Sequence, residues 1–201
     1  IYGAEKPDTG ELEVKGEKLI SRHPLDSMNR GMAYLPEDRK NEGIIADLSV
    51  RENLIIALQA KQGIFHLLSR KQQEEYTDKY IDMLQIKTAS RETPIKSLSG
   101  GNQQKVVIGK GLLTKPKILL LDEPSRGIDI GAKTEVFEII HDLAEKGLSI
   151  IVISSELKEI MAIADRIIVL SNGKKTGELT GDEITEDTLV RTSYAGLGTG
   201  R

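Results

Sequence analysis

Strand-like and helix-like segments alternate through the second half of this 201-residue chain. A buried apolar run at 118–121 is followed by a helical pattern at 132–146, and then by a second apolar run at 149–153. Two strands that are joined through a helix run parallel in one sheet, because the helix carries the chain back to the starting edge. The alternation therefore predicts an α/β fold with a mainly parallel sheet and helices on both faces.

Two other stretches depart from this alternation. The segment 10–20 alternates apolar and polar residues around a Lys-Gly-Glu turn, which predicts a short antiparallel β ribbon. Between residues 50 and 85 the pattern is helical, with Tyr76, Tyr80 and Met83 on one face of its second part. We interpret this stretch as an all-helical subdomain inserted into the α/β core.

The composition argues against several classes of protein. A formal net charge of -3, from 28 basic and 31 acidic residues, leaves no excess of cations for a nucleic-acid surface. No apolar run approaches the roughly 20 residues that span a bilayer. The absence of cysteine removes disulfides and thiol chemistry. We therefore expect no nucleic acid among the partners of this chain.

A serine and two glycines stand directly before a helical segment, in the run Leu98-Ser99-Gly100-Gly101. Glycines let backbone amides approach an anion, and the unpaired N–H groups and the dipole of a helix start favour negative charge. The Ser99 hydroxyl adds a further donor. The same residues are also common as a plain helix cap, so the run alone leaves an anion site and a cap equally open.

Two carboxylates, Asp122 and Glu123, follow the buried strand at 118–121. In an open parallel sheet, ligands bind at this edge. The arrangement resembles a Walker B element. The resemblance implies that Asp122 holds Mg²⁺ through water and that Glu123 orients or deprotonates the attacking water in phosphoryl transfer. Standing alone, the Asp-Glu-Pro sequence would favour a solvated turn.

Taken together and in this order, the run 98–101, the run 122–124 and the continuation to Asp129 resemble the ATP-binding proteins of the ABC family. The resemblance covers residues 1 to about 181, and it implies a P-loop NTPase core of the RecA-like type with a helical subdomain. The divisions that we expect are an amino-terminal part of the core at 1–47, the helical subdomain at 48–115, a carboxyl-terminal part of the core at 116–181, and a helix with a loose tail at 182–201.

The resemblance also implies roles for the matching residues. The residues expected to bind the terminal phosphate of an ATP held by a partner domain, and so to act in trans, are Ser99, Gly100, Gly101 and Gln103. Asp129 corresponds to an aspartate at the seam between two such domains, and its alternative role is to cap the following helix. ATP and Mg²⁺ are the implied cofactors, with Asp122 as the magnesium ligand and Glu123 as a catalytic carboxylate.

Closer matching, through 34–40 and 102–105, resembles the second ATP-binding domain of bacterial monosaccharide importers. Two positions depart from the family pattern. Glu37 stands at the place of a glutamine that touches Mg²⁺ and senses the membrane subunit, and Ser155 stands at the place of a catalytic histidine that contacts the terminal phosphate. A charged turn and a helix cap are their plainer interpretations. Because serine cannot carry the charge of imidazole, we expect the nucleotide site of this chain to be impaired.

No Gly-rich loop with Lys and Ser or Thr occurs in the chain, although this class of core needs one to cradle the phosphates. In the family this loop, the Walker A segment, lies just upstream of the residues that resemble Ile1 to Ala4. The first residue is also not Met. We therefore expect that the sequence is truncated before residue 1 and that the fragment alone is inactive.

The expected function is that of an ATPase subunit of a monosaccharide importer, peripheral on the cytoplasmic face of the membrane. Its expected partners are a first nucleotide-binding domain of the same protein, integral membrane permease subunits and, indirectly, a periplasmic or extracellular sugar-binding protein. Two alternatives stay open, namely a soluble ABC ATPase of translation or DNA maintenance and a purely regulatory domain.

Overall fold

The computed structural model describes residues 1–5, 7–14, 16–20, 23–63 and 65–195. The chain divides into two compact units, Ile1–Ile153 and Ser154–Arg201. No helix within the described ranges is long and apolar enough to cross a membrane. The loose tail that the sequence predicts lies, from residue 196 onward, outside the described residues.

The first unit contains most of the regular structure. Its strands are β1 (Glu13–Val14), β2 (Glu17–Lys18), β3 (Met32–Leu35), β4 (Ile118–Asp122) and β5 (Ser149–Ile153). Its α-helices are α1 (Pro24–Asn29), α2 (Val50–Gln62), α3 (Arg70–Met83), α4 (Gly100–Leu113) and α5 (Ile130–Glu145). A π-helical turn (Arg39–Gly43) and a 3-10 turn (Ile95–Ser97) complete the unit.

A three-stranded parallel sheet lies at the centre of the first unit. Its strand order is β3-β4-β5, with Leu35 opposite Leu121 and Leu121 opposite Val152. Strand β4 lies in the middle, and its Leu119 and Leu121 are fully enclosed. The parallel sheet confirms the prediction from the alternating pattern. The antiparallel pair β1 and β2 confirms the predicted ribbon.

The helices α2 and α3 begin at sequence signals that the chain supplies. Ser49 and Ser69 each accept a hydrogen bond from the backbone N–H three residues on. In return, the side chains of Glu52 and Gln72 accept a hydrogen bond from the backbone N–H of the serine. These reciprocal caps satisfy donors that a helix start otherwise leaves unpaired. Helix α1 was not predicted, because a six-residue helix that begins at Pro24 is too short for a periodic pattern.

The second unit is built on an antiparallel hairpin. Strands β6 (Arg166–Ser171) and β7 (Lys174–Thr180) pair through Asn172 and Gly173, whose φ angles are 49° and 72°. Positive φ at both turn residues matches the twist of a two-residue hairpin, for which Asn-Gly is a preferred sequence. Helices α6 (Leu157–Ile163) and α7 (Glu186–Tyr194) belong to this unit. Its apolar core is formed by Ile167, Val169, Leu179 and Leu189.

Candidate functional site

Ser99 caps the start of α4 and lies on the surface. Its Oγ accepts a hydrogen bond from Asn102 Nδ2 at 2.9 Å and a longer one from the Asn102 backbone N–H at 3.5 Å. The hydroxyl proton of Ser99 can still be donated to a third group. The cap and the anion site that the sequence left open are therefore compatible, because capping uses only the oxygen.

The two glycines that follow Ser99 let α4 approach its neighbours closely. A Cβ added to Gly101 would lie 2.4 Å from the Cβ of Ala132, in the first turn of α5. A Cβ added to Gly100 would lie 3.2 Å from the carbonyl oxygen of Gly127. Gly101 therefore requires glycine for packing, and a side chain at Gly100 would crowd the Gly127 carbonyl oxygen. The start of α4 is pressed against the loop that joins β4 to α5, the loop that begins at Glu123.

Gln103 is directed into the protein. It is 8% exposed, and its Nε2 donates to the carbonyl oxygens of Ile95 and Leu98 at 3.3 and 3.1 Å. Its Oε1 accepts from the Arg39 side chain at 3.4 Å. In this structure the amide supports the turn that leads to Ser99, and its role toward a partner's nucleotide stays a prediction.

Asp122 ends β4 beside a tyrosine of the neighbouring strand. The Tyr34 hydroxyl donates to Asp122 Oδ2 at 3.2 Å. Partial burial of the ring, and then the charge and hydrogen bond of Asp122, raise the pKa of Tyr34. Tyr2 packs against the same ring, with 5.5 Å between the ring centroids. The orientation of the Asp122 carboxylate is therefore set by a group that stays protonated at neutral pH.

Glu123 adopts a backbone conformation that is unusual for a residue with a side chain. Its φ is 44°, in the left-handed region, while its N–H donates to the carbonyl oxygen of Ile153 at 2.8 Å. A non-glycine residue in this region costs about 1–2 kcal/mol. Such strain at the carboxyl end of a parallel strand is typical of sites that need one side chain aimed away from the sheet.

The residues at the end of β4 fit a magnesium ion bound through water. Within the described ranges Asp122 Oδ1 accepts no hydrogen bond, and the side chain is half-buried. No group of three or more His, Cys, Asp or Glu side chains in those ranges could hold a metal by itself. Mg²⁺ commonly binds one or two carboxylates together with waters and substrate phosphates, and Asp122 offers one such carboxylate.

The other predicted site residues are Asp129, Glu37 and Ser155. Asp129 caps α5, and its Oδ1 accepts from the Ala132 N–H at 2.9 Å. Glu37 forms an ion pair with Arg126, in the loop that follows Glu123. Ser155 is exposed and belongs to the second unit, before α6, whose cap position is Glu156. The structure thus brings Ser99 to Gly101 and Asp129 together around one loop of the first unit.

Two buried cations at this site were missed from the sequence. Arg39 and Lys105 are 7% and 2% exposed, although each stands in a polar run that indicates a surface. Lys105 Nζ lies 2.7 Å from Glu135 Oε2 and 3.2 Å from the Gln85 carbonyl oxygen. The spacing of Lys105 from Gly101, four residues on a helix, was the one available signal that this lysine follows the packed face of α4.

Comparison with known proteins finds relatives of this chain among the ATP-binding proteins of transporters. The family model described as ABC transporter matches residues 1–126. The chain is 45% identical, over 193 residues and 96% of its length, to a fructose import ATP-binding protein of Bifidobacterium longum (strain NCC 2705). It is 46% identical over 190 residues, 94% of its length, to a galactofuranose transporter ATP-binding protein of Escherichia coli (strain K12). It is 41% identical over 196 residues, 98% of its length, to a ribose import ATP-binding protein of Bacillus subtilis (strain 168).

The chain spans about two fifths of these curated relatives, since it covers 38%, 38% and 40% of their lengths. Solved structures resemble it in fold. The ADP conformation of MJ1267, an ATP-binding cassette of an ABC transporter, has a TM-score of 0.79 at 23% identity, over 98% of this chain and 80% of the other. A dimeric post-hydrolysis state of the cassette MJ0796, bound to ADP and Pi, has a TM-score of 0.73 at 21% identity, over 88% and 75%. These similarities confirm the predicted P-loop NTPase fold.

Proposed function

The chain belongs to the ABC transporter family, and from this premise we propose that it is part of an ATP-hydrolysing subunit that energises carbohydrate uptake. One observation carries the proposal. Ser99 stands exposed at the start of α4, while Gly100 and Gly101 pack against the loop that begins at Glu123. A surface that is suited to bind an anion therefore packs directly against the loop that follows the two carboxylates at the end of β4.

The carbohydrate part of the proposal is supported by what the relatives are named for. Those names are fructose import, ribose import and galactofuranose transport, each at 41% identity or more. All three are sugars, and the similarity extends over 94% or more of this chain. We propose a monosaccharide as the cargo and a permease in the membrane as the partner, with this chain on the cytoplasmic face. A sugar-binding protein outside the cell would act on it only through the permease.

The surface formed by Ser99, Gly100 and Gly101, which we call the Ser99–Gly101 corner, is proposed to bind a nucleotide that another domain holds. Ser99 Oγ, the Gly100 and Gly101 amides and the positive end of the α4 dipole all favour a phosphate that arrives from outside the chain. Gln103 is proposed to support this corner from within. Asp129, at the start of α5, would lie at the seam between the two domains.

The site at the end of β4 is proposed to be the second nucleotide site. A bound Mg²⁺ would neutralise developing charge on the phosphates. Asp122 would hold the ion through water, and Tyr34 would fix the carboxylate for that task. Glu123 would orient the attacking water. The Gly-rich phosphate loop that completes such a site is proposed to come from sequence outside this chain.

The outer strand of the parallel sheet supports the idea of a missing segment. Among the described residues, β5 pairs with β4 alone, and its Ile151 and Ile153 are 46% and 55% exposed. An apolar strand edge that is open to water is a template for another strand, which proteins normally cover. A segment from outside this chain would bury these side chains and extend the sheet.

The second nucleotide site is proposed to be weak. At the position where the family has a glutamine, Glu37 forms an ion pair with Arg126. At the position of the histidine, Ser155 offers no positive charge. Most hydrolysis would then take place at the other site, to which this chain lends Ser99.

This asymmetry makes a testable prediction for Glu123. In the whole protein, Glu123→Gln should lower ATP turnover by no more than about twofold, because the competent site keeps its own carboxylate. Steady-state ATP hydrolysis is the measurement. Glu138→Gln, an exposed position on α5, is the matched control and should change nothing. A loss greater than about tenfold would contradict the proposed asymmetry.

The proposed function itself is tested on the whole protein in membranes. We expect it to purify together with an integral membrane permease, and we expect ATP hydrolysis in vesicles to rise when a sugar and its binding protein are supplied. Hydrolysis that needs no membrane partner would favour a soluble ABC ATPase instead. Hydrolysis that ignores the sugar would remove the carbohydrate part of the proposal.

A further inference from the structure

Arg39 is a buried cation, and burying its charge does not by itself stabilise the protein. It opens the π-helical turn Arg39–Gly43 and is 7% exposed. Within the described residues, no carboxylate forms an ion pair with its guanidinium. Burial lowers the pKa of Arg39, and the charge of Asp38 partly opposes this. A buried charge held only by neutral acceptors is costly, so a role beyond packing needs to be considered.

The guanidinium joins two elements that are far apart in sequence. Its Nε and Nη1 donate to Gln103 Oε1 and Gln104 Oε1 on α4, and Nη1 also donates to the backbone oxygen of Arg126, each at 3.4 Å. Its Nη2 lies 3.2 Å from the place where a Cβ on Gly100 would be. Arg39 therefore occupies the space between the Ser99–Gly101 corner and the loop that follows Glu123.

The turn that carries Arg39 is firmly attached on both sides. On one side, Lys110 Nζ on α4 donates to the Gly43 carbonyl oxygen. Within the turn, Asp38 accepts from the backbone and side chain of Asn41. On the other side, Glu37 forms its ion pair with the Arg126 side chain. Arg126 is thus held twice by one short segment, through its backbone by Arg39 and through its side chain by Glu37.

We propose that Arg39 is a positioning residue that couples the Ser99–Gly101 corner to the loop between β4 and α5. The inference rests on the proposed function, since the corner is there assigned to a partner's ATP. A planar guanidinium with donors in a fixed fork holds acceptors from two elements at a set distance. A phosphate that docks on the corner then shifts the loop that contains Glu123 and Asp129, and the two nucleotide sites act together.

The experiment uses the whole protein in membranes with its permease. Arg39→Met removes the charge and the fork, and Arg39→Lys keeps the charge but loses the fork. Both should lower kcat for ATP hydrolysis by about tenfold or more, because the Ser99–Gly101 corner would no longer be held where it meets the partner's phosphate, and small displacements at a reacting centre have large effects on rate. KM for ATP should stay within about twofold, since the phosphate cradle lies elsewhere. Arg30→Met, at an exposed arginine that pairs with Glu17, is the matched control.

A purely structural role gives a different result. It would lower the thermal unfolding temperature and the amount of folded protein, with kcat per folded molecule unchanged, and that outcome overturns the inference. Full recovery of kcat in Arg39→Lys overturns it too, because charge alone would then suffice. If Arg39→Met does not fold, Arg39→Lys decides.

A second measurement tests whether Arg39 acts through α4. Gln104→Leu should lower kcat, and the Arg39→Met/Gln104→Leu pair should lower it no more than Arg39→Met alone, because residues that act as a unit are not additive. Additive losses overturn the inference. Failure of the proposed function is recognised separately, since Ser99→Arg would then also leave turnover intact.

Discussion

Replacing Ser99 by Arg in the whole protein should lower ATP turnover by about a hundredfold, the loss expected when a preorganised donor to a developing anion is removed. The Ser99 hydroxyl sits exposed at the start of α4, and a side chain of arginine length would fill the space into which a partner's phosphate must come. The new cation could pair with that phosphate only by holding it away from the helix start. Steady-state hydrolysis, with permease present, is the measurement.

The matched control for this prediction lies two residues upstream. Ser97 is also exposed, and its hydroxyl donates to the Pro94 carbonyl oxygen at 2.7 Å, away from α4. Ser97→Arg should therefore keep normal turnover. Ser99→Ala removes the donor without adding bulk, and it should fall between the two. Normal turnover in Ser99→Arg would defeat the assignment of this corner to a partner's nucleotide, and it would favour a purely regulatory domain.

The parts of the fold that were predictable from the sequence are those with local signals. Strand β3 ends at Leu35 because Pro36 cannot continue the ladder, and Gly147 ends the segment before β5 with a φ of 88°. The sequence pattern predicts Gly100 and Gly101 before the helix, whereas α4 begins at Gly100, because the cap by Ser99 extends it through both glycines. The error lies at a boundary, where pattern and cap compete.

The two carboxylates of the site were predictable from the sequence, but the residues and the loop that hold them in place were not. The carboxylates at 122 and 123 follow from a strand end, yet the positive φ of Glu123 depends on the loop that it enters. The burial of Arg39 was not predicted, because nothing in the charged run around it indicates the contact with Gln103, 64 positions away along the chain. Long-range contacts of this kind bury a charge without leaving a local pattern.

Removing the carboxylate of Glu135 should destabilise α4. The Lys105 side chain is only 3% exposed, and its ammonium lies 2.7 Å from Glu135 Oε2. Glu135→Ala would leave this buried cation without its counter-charge. The expected loss is about 2 kcal/mol in the free energy of opening of α4, below the value for a fully buried pair because Glu135 is 42% exposed. Hydrogen exchange of the α4 amides in the whole protein measures it.

The pH dependence of this loss identifies its source. Hydrogen bonding and charge from Lys105 lower the pKa of Glu135. A carboxylate with a lowered folded pKa contributes its stability fully above the ordinary glutamate value of about 4.3, and that stability is lost as the pH falls through the folded pKa. The difference between the wild type and Glu135→Ala should therefore be constant near neutrality and shrink below about pH 4.

Two further variants separate the ion pair from packing. Glu138→Ala lies on the exposed side of α5 and should change the free energy of opening by no more than about 0.5 kcal/mol. Lys105→Met combined with Glu135→Ala should recover most of the stability, because an apolar side chain of similar length carries no charge to desolvate. If the double variant is as unstable as Glu135→Ala, or if the loss persists undiminished in acid, then Glu135 stabilises α4 by contacts other than its charge.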